Sequence, residues 1–138
     1  MHYPDLTPFG MEAPFSNLRT VGWLESGHEF PIGTVATEFI TQLKYLLVSP
    51  FQPFCSAGIH HCSLCQFDGP HGVNNLFVPG NGVIFIMPEL AVHYMAAHHY
   101  RPPEVFQDAV LACPEIRSMD YKRALLANGG RGLVGGAG

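Results

Sequence analysis

Four residues in two pairs carry the chemistry of this sequence: Cys62 and Cys65, with two residues between them, and His93 and His98, with four. Thiolate sulfur and imidazole nitrogen are donors that zinc accepts in a tetrahedral Cys2His2 set, at about 2.0–2.3 Å. A two-residue gap lets both sulfurs of a tight turn face one ion, so Cys62-Ser63-Leu64-Cys65 reads as a zinc knuckle. We expect one structural Zn2+ per chain held by Cys62, Cys65, His93 and His98. The helical pair fits less well. On an ideal helix five residues turn through about 500°, which leaves His93 and His98 about 140° apart. Both reach one ion only if the helix loosens or ends at His98, and Tyr100-Arg101-Pro102-Pro103 directly after it supplies the break. His99 lies about 120° from His93 in the other direction and is a rival for the fourth position on geometry alone. His61 is a further alternative to His98.

The remaining thiols and imidazoles have plainer readings. Four cysteines among 138 residues are too sparse for a disulfide scaffold. Cys55 and Cys113 stand alone, and each reads as a small buried hydrophobe. A nucleophilic Cys55 would need a base such as His60, and nothing in the sequence pairs them. His60 and His61 read as supporting or exposed residues beside the knuckle. Several enzyme motifs are absent. The zinc deaminases require His-x-Glu before Pro-Cys-x-x-Cys, and no His-x-Glu occurs. Metalloproteases place their acid inside His-Glu-x-x-His, whereas Glu89 lies outside the histidine pair. A thioredoxin-like Cys-x-x-Cys joins a strand to a helix, whereas this one leads into a hairpin. Glu89 as a base beside the metal competes with its simpler reading, a first-turn carboxylate facing a helix dipole.

These residues need elements to position them. Val35, Phe39, Ile40, Leu43, Leu46 and Leu47 fall at spacings of three and four and predict a helix between Gly33 and Pro50, capped by Thr34 or Thr37. Residues 51–72 read as a loop containing the knuckle. Two β-prone runs, 73–78 and 83–87, flank Pro79-Gly80-Asn81-Gly82 and predict a hairpin. A helix follows from Pro88 to His98, another carries Val105, Phe106, Ala109, Val110 and Leu111, and Ser118 caps a last one through Leu126. Asn128-Gly129 supplies a left-handed stop. Residues 1–20, with Pro4, Pro8 and Pro14, read as an extended arm whose Tyr3, Phe9 and Phe15 favour docking. Residues 21–127 form one zinc-binding domain containing a core Trp23, and 128–138 a flexible glycine-rich tail.

Composition narrows the partners. Charged residues make up 13% of the chain and the net charge is −4, with the seven Lys and Arg unclustered, so no nucleic-acid partner is expected. No wholly apolar run is longer than that of Val83 to Met87, which is far below the roughly 20 residues of a membrane span. The first basic residue is Arg19, which gives no signal-peptide start. We expect a soluble, cytoplasmic protein that contacts no membrane.

Gly22-Trp23-Leu24, Gly27-His28-x-Phe30-Pro31, Glu38-Phe39, the Cys62/Cys65 knuckle, Pro88-Glu89-Leu90-x-Val92-His93-Tyr94-x3-His98 and Tyr100-Arg101-Pro102-Pro103-Glu104-x-Phe106 resemble a small group of uncharacterised bacterial proteins with a Cys2His2 zinc site. The resemblance runs from about Val21 to Ala127. It aligns the second imidazole ligand with His98 and implies no activity. In that group glycine often follows the second histidine, so His99 is a departure. The expected architecture is a small α+β domain in which knuckle, hairpin and helix form a treble-clef-like or elongated ββα zinc unit packed against flanking helices. The expected function is a zinc-stabilised binding or interaction module, with a protein partner or self-association. The alternative is a metal-dependent hydrolase or nuclease of treble-clef type, using a histidine such as His61 or His99 beside the metal.

Overall fold

In a computed structural model of the chain, residues 2–9, 17–51, 60–65, 71–72 and 74–134 are described. The architecture is α+β. In chain order the elements are β1 (Leu18–Thr20), α1 (Thr37–Leu46), β2 (His60–His61), β3 (His71–Gly72), β4 (Asn75–Gly80), β5 (Val83–Pro88), α2 (Ala91–His98), α3 (Glu104–Ala112), α4 (Met119–Ala127) and α5 (Arg131–Val134).

The hairpin is the centre of the fold. Leu76, Phe77, Val78, Ile84, Phe85, Ile86 and Met87 are all buried, so both faces of β4 and β5 lie against protein. Asn81 and Gly82, both at positive φ (56° and 80°), make the two-residue turn whose twist matches the strands. Pro79 and Gly80, expected in the turn, instead extend β4. Proline is tolerated there because β4 is an edge strand in the order β1-β5-β4. Its outward side is covered by α4, whose Tyr121 hydroxyl donates to the Phe77 carbonyl at 2.6 Å. Ser118 caps α4 by accepting from the Tyr121 N–H, and Gly129 at φ 88° ends its last turn, both as the sequence predicts.

Helix α3 lies over the sheet and carries α1. The ring of Phe106 sits edge-on to Phe85 of β5 at 5.6 Å and to Phe39 of α1 at 6.1 Å. On α1 the residues Phe39, Leu43 and Leu46 are buried, which is the stripe set by their three- and four-residue spacing. Its N-cap is Ala36, with no side-chain hydrogen bond, so neither Thr34 nor Thr37 caps it.

Two ends differ from expectation. The segment read as a proline-containing arm through residue 20 closes in β1, which pairs in parallel with β5 and buries Leu18 and Thr20 completely. Residues 2–9 do dock, with Tyr3 and Phe9 packed around Trp23 at 5.7 and 5.8 Å. Phe15 lies outside the described residues. At the other end part of the stretch read as a flexible tail, Arg131–Val134, forms α5 and buries Leu133, while residues 135–138 lie outside the described residues.

Candidate metal centre

The knuckle sits between β2 and β3, which pair antiparallel through His60↔Gly72 and His61↔His71. It is tied to the preceding loop, where the Ser26 N–H donates to Ser63 Oγ at 2.9 Å, and to the core through the partly buried Leu64. The imidazoles come from the two ends of α2. That helix begins at Ala91, because Pro88 closes β5 and Glu89 precedes the N-cap Leu90. His93 is therefore its third residue, in the first turn, where a treble-clef arrangement puts a helical ligand. Glu89, expected in the helix's first turn, accepts from the Asn74 N–H at 3.2 Å and lies against Gly72.

The helix ends at His98, one of the two conditions under which both imidazoles can meet. The N–H groups of His99 and Tyr100 both donate to the Tyr94 carbonyl, five and six residues back, where a regular helix reaches back four. Such long reaches belong to a left-handed C-cap: His99 at φ 58° turns the chain out of the helix directly after His98. The two rings stand 5.1 Å apart at 81°. His99 is the C-cap at φ 58° and is exposed, outside the cluster.

The result is one group. Cys62 Sγ and Cys65 Sγ each lie 3.4 Å from His98 Nε2, and Cys65 Sγ lies 3.3 Å from His93 Nε2. All four ligand atoms fall within 4.8 Å of one another. Bonds of about 2.3 Å to sulfur and 2.0–2.1 Å to nitrogen at tetrahedral angles give sulfur–nitrogen edges of about 3.5 Å, so the donors stand where one ion would hold them. The group is compatible with a metal site, and every residue of the expected set is in it.

The electrostatics agree with such an ion. Desolvation and the neighbouring Cys62 raise the Cys65 thiol above its ordinary value, a conflict that a bound cation relieves. Desolvation, with a smaller contribution from His98, lowers His93, which favours the neutral, metal-ready imidazole. Tyr94 packs beside both rings, and burial, then the two thiols, push its hydroxyl up to about 12. Cys113 is buried apart from the cluster, its Sγ donating to the Pro114 carbonyl at 3.4 Å. Cys55 lies outside the described residues, as do the side chains of His60 and His61.

Fold and cluster together define a small α+β domain with a four-donor Cys/His group. The chain belongs to a family described as a domain of unknown function, DUF7919, whose model matches residues 1–111. That match takes in the proline-containing start, which the motif resemblance left out, and stops within α3. No curated protein and no solved structure matches the chain. No helix among the described residues is long and apolar enough to cross a membrane.

Proposed function

We propose that this protein is a zinc-stabilised binding module, in which Cys62, Cys65, His93 and His98 hold one structural Zn2+ per chain and the folded surface engages a protein partner or a second copy. The observation that supports the reading is the four-donor set: the ligand atoms lie within 4.8 Å of one another, and together they would fill a tetrahedral coordination sphere. A catalytic zinc keeps one position for water, and it is that water whose pKa the metal lowers. Two sulfurs and two nitrogens favour zinc over the hard, oxygen-preferring cations. The hydrolase or nuclease alternative requires an open position, and one experiment separates the two. Cobalt-substituted protein should show a tetrahedral S2N2 absorption spectrum that azide and cyanide leave in place. A spectrum that moves with those anions would mean an open site with one of the four donors unbound. Metal analysis of gently prepared protein should return one zinc per chain, and Cys62→Ser should lose it. Substoichiometric zinc, or full zinc in that variant, would remove the reading.

A further inference from the structure

Residues 2–9 run back along β1 and Trp23. The Tyr3 N–H donates to the Trp23 carbonyl at 3.0 Å, the Leu6 N–H to the Thr20 carbonyl at 2.6 Å and the Phe9 N–H to the Leu18 carbonyl at 3.1 Å. The Thr20 hydroxyl and N–H donate back to the carbonyls of Pro4 and Thr7 at 2.9 Å each. This bonding holds a tight turn in which Leu6 takes φ 64°, a left-handed conformation that a leucine keeps only where its surroundings impose it. The turn presents Asp5. Its Oδ1 accepts from the Gly22 N–H at 3.1 Å, and both carboxylate oxygens stand 2.9 Å from the Tyr100 hydroxyl, which donates to them.

Tyr100 is completely buried, and its own N–H donates to the Tyr94 carbonyl at 3.2 Å, closing the C-terminus of α2 two residues after His98. Gly22 marks how tightly the three parts meet. At φ 78° it lies so close that an added Cβ would stand 2.6 Å from Ala91 Cβ, at the start of α2, and 3.5 Å from Tyr100 Cε2. The same tyrosine is thus held by the strap on one side and closes the end of the helix that carries His98 on the other.

We propose that residues 2–9 are a strap that positions the metal centre, with Asp5 as its positioning residue: through Tyr100 it fixes the end of α2 that delivers His98, so strap docking and metal binding support each other. The inference rests on the zinc reading above. Partners that orient metal ligands from outside the coordination shell change affinity by about 10–100-fold when lost, and coupling of this kind is reciprocal.

The test uses fully zinc-loaded full-length protein and follows zinc transfer to a chromophoric chelator. Asp5→Ala and Tyr100→Phe should each speed release by roughly 10-fold. The double variant should release no faster than the quicker single one, because both act through one contact. Val110→Ala, in the core of α3, controls for general loss of stability and should release at the wild-type rate. Cobalt-loaded Asp5→Ala and Tyr100→Phe should show displaced absorption bands, since His98 moves, while Val110→Ala keeps the wild-type spectrum. Wild-type release and spectrum in Asp5→Ala, equal acceleration in Val110→Ala, or full multiplication in the double variant would overturn the coupling. Failure of wild-type protein to bind zinc at all would instead remove the zinc reading on which it rests.

Discussion

Replacing His99 by glycine should stabilise the protein and leave its metal affinity intact. His99 is the exposed C-cap of α2 and holds φ 58°, the left-handed conformation. That conformation costs a residue with a Cβ about 1–2 kcal/mol, and glycine escapes it. Glycine gives back about 0.5–1 kcal/mol through the greater freedom of the unfolded chain. The balance is a gain of about 0.5–1 kcal/mol, which for a chain of this size raises the melting temperature by about 2–4 °C. His98→Ala, one position earlier, deletes a donor 3.4 Å from both sulfurs and should lower zinc affinity by more than the roughly 100-fold upper range for supporting residues. The assay is thermal melting of zinc-loaded protein combined with chelator competition on both variants. A His99→Gly protein that melts lower than wild type, or loses zinc as His98→Ala does, would refute the assignment of cap and ligand.

Tyr121→Phe removes the hydroxyl that donates to the Phe77 carbonyl and should cost about 0.5–1.5 kcal/mol in urea unfolding, with the m-value unchanged. Burial pushes the Cys113 thiol up to about 12, so at pH 8 it is protonated and should resist iodoacetamide until the protein is unfolded, as peptide mass mapping would show. Because structural zinc supplies about 10–16 kcal/mol of apparent binding free energy, chelation should unfold the segment from Cys62 to His98, read as lost amide protection in β4, β5 and α2. With seven basic residues against eleven acidic ones, the protein should give no gel shift with DNA or RNA at physiological salt and micromolar concentration.

The elements legible in the sequence were those whose signal is local and periodic. The stripe of α1, the Asn81-Gly82 turn, the Ser118 cap and the Gly129 stop each rest on a few adjacent residues. The four donors of the cluster were legible for the same reason, since spacing alone groups them into two pairs. What sequence reasoning missed depends on distant partners. Leu18-Arg19-Thr20 is too short to announce a strand and is one only because β5 offers an open edge sixty-six residues further on, Leu18 opposite Ile84. The close of α2 directly after His98 involves the Tyr100 N–H, and the Tyr100 hydroxyl is bonded to Asp5 far back in the chain. Pro88 is equally acceptable as a first helical residue or a last strand residue, and its pairing with Asn75 decides the matter. Gly22, whose positive φ and contact with Ala91 fix the start of α2 against the strap, left only a glycine in a motif as its trace.

The parallel pairing of β1 with β5 also bears on the order of folding. Hairpin, knuckle and α2 lie within thirty-seven consecutive residues, Cys62 to His98, and can close short loops early. β1 must come from the far end of the chain, so its docking is a late, long-range step. Until it arrives, the Val83-Ile84-Phe85-Ile86-Met87 run is an apolar edge with unpaired backbone groups, the kind of template on which chains aggregate. The N-terminal segment therefore acts as a built-in guard for the central strand, and a chain shortened past Thr20 should collect in inclusion bodies even with its zinc ligands intact.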